Sequence, residues 1–255
     1  MPDGATTRFC YGRLPAAFSL RSVQSGIAMA AALDPLGTPP EASNDYVAAV
    51  SVPWGMCRNN ELSDCAAADQ AHTLMLRSAN TASQIIVPTD EQVTALYSAV
   101  GGYDGTKATD KGCFEAAMFE YMRTTGFLGH KADSTASIDP SNLDHLRWSV
   151  QLFGSCTLGL NLPQYAEDQY AAGQTWDVQI SGSQKPNGHD VPIVDYRGGL
   201  FFVVTWGQLV PMTPAAVLAW AEEAHCAVFA DWVMMQGLSP SGFDLSALTE
   251  KLESL

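Results

Sequence analysis

Asn59-Asn60-Glu61-Leu62-Ser63-Asp64-Cys65-Ala66-Ala67-Ala68 places a thiol where a helix begins. Ser63 or Asp64 can serve as N-cap, and the small and apolar residues that follow predict a helix over about Cys65–Asn80. Asp69, Thr73, Arg77 and Asn80 form one narrow polar stripe on it, the pattern of a helix buried on most sides. Far downstream, Gly188-His189-Asp190 opens an apolar segment, and a second apolar run ends in Thr205-Trp206-Gly207. A thiol at a helix N-terminus, met by a histidine from a distant strand, is the arrangement that favours a thiolate nucleophile.

Around this pair, 255 residues suffice for one large domain or two small ones with a substantial core. Only 16% of residues are charged, and the net charge is −14. That balance argues against nucleic-acid backbone or an anionic membrane as partner, since both need clustered Lys and Arg. No apolar stretch approaches the roughly 20 residues that span a bilayer. Met1-Pro2-Asp3-Gly4 lacks the basic-then-apolar opening of a signal peptide, so a cytoplasmic or virion-associated location is expected. The six cysteines, at 10, 57, 65, 113, 156 and 226, are scattered without a C-x-x-C pair and read as free thiols. Cys57, Cys65 and His72 match no common zinc spacing, and no phosphate loop or dinucleotide fingerprint occurs, so no metal or cofactor is expected.

Residues 1–50, with Pro35 to Pro40 inside them, read as an extended N-terminal arm laid over the domain or a neighbour. Further helices are predicted over Glu91–Val100, with Thr89 and Gln92 as a capping box, over Gly112–Thr125, after Pro140 up to Gly154, and over Pro214–Ala224. Cys156–Leu162, Val191–Tyr196, Leu200–Thr205 and about Cys226–Phe229 read as strands. Pro192 requires its strand to be an edge or to bulge there. Residues 237–255 form a C-terminal tail helix, best placed over Phe243–Leu255. Helices precede strands, which makes the chain α+β.

The order of these features resembles the papain-like cysteine peptidase superfamily, in texture most similar to papain-like proteins of bacteriophages and bacteria. Asn59, six residues before Cys65, matches the side-chain donor of that family's oxyanion hole. Gly188-His189-Asp190-Val191 resembles the histidine strand. Phe153-Gly154-Ser155-Cys156 resembles the strand after a glycine turn, and Thr205-Trp206-Gly207 the tail of the asparagine-serine-tryptophan-glycine motif. The resemblance implies an N-terminal helical half carrying the central Cys helix, a C-terminal antiparallel sheet half, and a papain-like domain over residues 51–236. It implies a hydrolase, a peptidase acting on a peptide or protein, with Cys65 as nucleophile, His189 as base and Asn59 as oxyanion donor. The chain departs from the pattern where Val204 stands near the expected asparagine. Thr205 is then the candidate for orienting His189, although a regular strand would put it on the opposite face. Asp190 and Asp195 are poorly placed substitutes.

Two other readings fit the same residues. One keeps the chemistry and makes the substrate a peptidoglycan amide. The other makes the domain a structural protein of an assembly, such as a phage virion, joined as a homo-oligomer or to other subunits through the N-terminal arm and the C-terminal helix. His72 reads as structural, because seven helical residues carry it roughly 10 Å along the axis from Cys65. His225 reads as a satisfied core histidine, His130 and His145 as loop and surface residues. Glu222-Glu223, and Asp64 with Glu61, read as solvated faces and caps.

Overall fold

The computed structural model describes residues 9–17, 19–82, 84–232, 238–242 and 244–254. Its helices are α1 (Leu20–Leu33), α2 (Cys65–Thr81), α3 (Asp90–Gly101), α4 (Glu115–Thr124), α5 (Leu143–Phe153), α6 (Tyr165–Ala171), α7 (Pro214–Trp220) and α8 (Ser246–Glu253). Six strands, β1 (Ala132–Ile138), β2 (Cys156–Pro163), β3 (Pro186–Arg197), β4 (Leu200–Thr205), β5 (Gln208–Met212) and β6 (Ala221–Phe229), form one antiparallel sheet in the order β1-β6-β2-β3-β4-β5. The α+β class expected from the sequence is the one observed. No helix among the described residues is long and apolar enough to cross a membrane.

Local chemistry explains most boundaries. Thr89 and Gln92 close the capping box of α3, and Gly102 ends that helix with φ 71°. Gly154, at φ 84°, ends α5. Every residue of α2 from Cys65 to Ser78 is buried, Asp69, Thr73 and Arg77 of the polar stripe included, while Asn80 is half-buried. Arg77 lies flat over the Phe229 ring at 3.4 Å and faces Asp231, so the stripe meets the sheet half rather than water. Leu74, Met75 and Leu76 are at most 1% exposed, and burying each such side chain contributes about 1.5–3 kcal/mol. α2 packs against β3 and thereby brings the Cys helix to the histidine strand.

Four expectations are corrected. The arm expected to be extended carries α1, capped by Ser19, whose side chain accepts from Ser22 N–H. Residues 1–8 of it lie outside the described residues. The helix expected over Pro214–Ala224 stops at Trp220, and Ala221–Ala224 belong to β6, held between β1 and β2. Asp64 occupies the N-cap position of α2 without a capping bond from its side chain. Asp64 and Glu223 are 0% and 2% exposed, so neither lies on a solvated face. Pro192 fits its strand because pairing with β4 begins only at Ile193, with a register shift between Ile193 and Asp195. The tail helix is shorter than expected, with Phe243 and Leu255 outside the described residues. It is also docked: Leu245 and Leu252 are buried.

Candidate active site

Cys65 is the first residue of α2, where a backbone N–H has no helical partner. It is 1% exposed, and Asp190 N–H donates to its sulfur. That bond sets the residue after His189 against the thiol. Burial, followed by the nearby Asp190, pushes the Cys65 thiol well above its usual range.

His189 lies in β3 and is fully buried. Its Nε2 is 2.7 Å from Thr205 Oγ1, while Nδ1 has no hydrogen-bond partner. The ring stacks on Trp206, with centroids 4.7 Å apart. The opposite-face objection to Thr205 fails because β4 ends there. Trp206 and Gly207, at φ 46° and 77°, form the two-residue turn between the paired Thr205 and Gln208. A tryptophan in the left-handed region is strained by about 1–3 kcal/mol, and here the strained residue is the one that lies on the imidazole. Burial, then the positive charge of Arg13, pushes His189 down to about 3. Both shifts favour the uncharged forms of thiol and imidazole.

Asn59 is 2% exposed, and its amide is already engaged beside the start of α2. It donates to Asp64 Oδ1 at 3.2 Å and to Leu62 O at 3.4 Å, so an oxyanion role would require it to turn away from Asp64. Asp195 is held by Ser43 and Arg197, and Asp190 joins a carboxyl cluster, so neither orients His189. His72 is buried, with Gly55 O at 3.2 Å and Cys57 Sγ at 3.7 Å, as a structural histidine should be. His225 is held by Glu115 Oε1 at 2.6 Å.

What sequence reasoning missed is the occupant of the cleft. Residues 9–14 run through it as an extended strand. Cys10 N–H bonds Asn59 O at 3.1 Å, Cys113 N–H bonds Gly12 O at 2.8 Å, Arg13 N–H bonds Gly188 O at 3.0 Å, and Leu14 N–H bonds Cys113 O at 3.0 Å. The pairing with Cys113 is parallel. Three glycines permit this approach. A Cβ on Gly12 would lie 1.8 Å from Ser63 O, one on Gly112 1.7 Å from Gly12 O, and one on Gly188 2.1 Å from Arg13 O. Phe9 packs on Trp206 at 4.5 Å and Tyr11 sets its edge to His189 at 5.6 Å, so the dyad is sealed from solvent. The Tyr11 hydroxyl also bonds Glu167 of α6. The glycine preceding each contact residue was visible in the sequence, but nothing local tied Gly12 to Gly188.

The sequence matches no protein-family model and no curated protein. Solved structures do match. Xylellain, a cysteine protease from Xylella fastidiosa, superposes with a TM-score of 0.62 at 11% identity, covering 87% of this chain and 97% of its own. Digestive procathepsin L 3 of Tenebrio molitor larval midgut gives 0.56 at 11%, over 87% of this chain and 76% of that one. A recombinant stem bromelain precursor gives 0.53 at 13%, over 88% and 78%. At 11–13% identity the likeness is one of fold, and at that level the assignment is plain: this chain has the papain-like cysteine peptidase fold.

Proposed function

We propose that the chain is a cysteine hydrolase of the peptidase type, held closed by its own N-terminal segment. The observation that carries this reading is the bond between His189 Nε2 and Thr205 Oγ1, which leaves Nδ1 free on a histidine of β3, the strand against which the Cys65 helix packs. With Thr205 accepting, the proton sits on Nε2 and Nδ1 is the basic nitrogen, the tautomer a thiol nucleophile needs.

Once the segment leaves, water reaches both groups and the barrier to charging them falls. Nδ1 takes the thiol proton, and the sulfur attacks a peptide carbonyl carbon. The backbone N–H of Cys65 stabilises the resulting oxyanion, helped by Asn59 if its amide swings from Asp64. The imidazolium then protonates the leaving amine as the C–N bond breaks, giving a thioester. Water, deprotonated by the same nitrogen, attacks the thioester, and breaking of the C–S bond releases the acid and restores the thiol.

The competing reading is a structural protein of an assembly, favoured by the sealed cleft and by the engaged Asn59 amide. Iodoacetamide labelling across pH, read by mass spectrometry, separates the two. It is done on Gly12→Val, whose arm cannot seat: Cys10, released with the arm, is the reference for an ordinary accessible thiol, and the buried Cys57, Cys113, Cys156 and Cys226 are the remaining controls. Labelling of Cys65 at least tenfold faster than the other thiols near pH 6, lost in Gly12→Val with His189→Ala, supports the hydrolase. Labelling that ignores His189 overturns it.

A further inference from the structure

We propose that the acidic pocket now filled by Arg13 is a specificity pocket for an arginine side chain of a polypeptide substrate. This rests on the hydrolase reading above and names its substrate class.

The pocket is built for a guanidinium. Arg13 has five N–H donors, and each has an acceptor. Nε donates to Leu160 O at 3.3 Å, and Nη1 to Leu14 O at 3.2 Å and Glu223 Oε1 at 2.8 Å. Nη2 donates to Asn161 Oδ1 at 2.9 Å and Glu222 Oε2 at 2.6 Å. The side chain is 1% exposed. Glu115 and Asp190, both buried and close enough to share a proton, complete the wall. Only Leu14 O among these acceptors belongs to the arm. The others come from β2 and β6, and the rest of the wall from α4 and β3, all of which stay when the arm departs.

The space is as specific as the charge. Gly159 of β2 pairs with Asp190 on one side and Glu223 on the other, and its missing side chain is the volume the arginine uses. A Cβ there would be 2.5 Å from Glu115 Oε2, 2.6 Å from Glu223 Cγ and 2.7 Å from Arg13 Cδ. A salt bridge serving only to hold the arm could sit anywhere on the surface. This one lies beneath the cleft floor, one residue from His189, at the point where Arg13 N–H bonds Gly188 O. Emptied, the pocket holds four carboxyl groups, three of them buried, with His225 on Glu115 as a basic neighbour and no guanidinium, so leucine or glutamate entering it would leave buried acids uncompensated. Arginine fits the fork of acceptors, whereas lysine, with three donors, leaves two of them unmet.

The test uses the full chain with Gly12→Val. Three N-acetyl peptides of the arm sequence with serine in place of Cys10, Phe-Ser-Tyr-Gly-Xaa-Leu-Pro, carry arginine, its neutral isostere citrulline, or norleucine at Xaa, and binding is read by fluorescence anisotropy. The arginine peptide is expected to bind at least tenfold tighter than either neutral one, with the preference falling below threefold when Glu223→Gln is added. Equal affinities overturn the pocket. Peptidyl vinyl sulfones with arginine or norleucine at the same place then report on Cys65. Arginine-selective peptide binding with no Cys65 adduct from any probe overturns the hydrolase reading and leaves the pocket only a docking site. Equally fast adducts from both probes uphold the hydrolase and overturn the pocket. Should Gly12→Val not fold, hydrogen exchange at the Arg13 and Leu14 amides of the unaltered chain decides: the arginine peptide, by displacing the arm, should speed it at least fivefold. No difference between peptides overturns the proposal.

Discussion

The hydroxyl of Thr205 stands 2.7 Å from Nε2 of His189, at the end of a strand whose preceding residue, Val204, has nothing to offer an imidazole. The sharp turn through Trp206 and Gly207 delivers the hydroxyl. Thr205→Val, close in shape but without the oxygen, should lower the rate of Cys65 acylation by about 100-fold or more, the scale on which a mis-set tautomer acts. Thr205→Ser should keep most of the rate. Stopped-flow acylation in the Gly12→Val chain measures both, and a Thr205→Val rate within threefold of its parent would show that the bond does not orient the base.

Acid should weaken the folded state through its buried histidines. His189 is pushed down to about 3 and His72 to about 4, in both cases first by burial. An unfolded chain protonates these rings near pH 6.5 and the folded chain does not until well below it. Their contribution to stability is therefore present above pH 6.5 and lost as pH falls toward 4 and then 3. Urea midpoints at pH 7, 5.5 and 4.5 for the unaltered chain and for His72→Gln provide the check. The gap between the two should change with pH in that window, and a constant gap would remove His72 from the account.

Asp64 acts with the opposite sign. Burial, against the favourable bond from Asn59, pushes its carboxyl up to about 8. The folded chain keeps this proton where the unfolded chain has released it, so its contribution is full below pH 3.8 and is lost as pH rises toward 8. Asp64→Asn, which never ionises, should gain stability relative to the parent between pH 4 and 8 and hold a constant advantage above. Thermal melts at pH 5, 7 and 9 test this, and equal melting shifts at all three would contradict it.

Gly159→Ala forces a methyl against Glu115, Glu223 and Arg13 at 2.5–2.7 Å. Overpacking of this kind costs about 1–3 kcal/mol, carried by the arm before the sheet, since the arm is the part that can leave. Faster hydrogen exchange at the Arg13 and Leu14 amides, with little change at Leu158 and Leu160, is the expected pattern. Uniform acceleration would mean that the sheet itself is disturbed.

Local signals carried the helices well, because their ends are set by neighbours in sequence: Thr89 with Gln92, Gly102, Gly154. They failed where a distant partner overrides local preference. Ala221-Glu222-Glu223-Ala224 suits a helix, yet a strand results because β2 pairs with it from Ala221 and β1 joins its other edge at Ala224. β1, with Ser134, Thr135 and Ser137, lacks the apolar alternation that announces a strand. Cys65 and His189 could be picked out as candidates because each has a local setting, the one at a helix start and the other near the start of an apolar strand. Arg13 could not, since its meaning lies in Glu222 and Glu223 at the other end of the chain. A buried acid and a solvated one look alike until that partner is found.

The parallel strand that fills the cleft is tied to the domain through Leu14 and the residues leading to α1, so it never dilutes away. A segment so tethered competes at an effective concentration of about millimolar, whatever the bulk protein concentration. A free peptide with micromolar intrinsic affinity must overcome that local excess and will look correspondingly weak on the intact chain. Severing the chain between Leu14 and Leu20 would abolish the excess without altering a single contact in the cleft, and the same peptide would then meet an opponent that washes out.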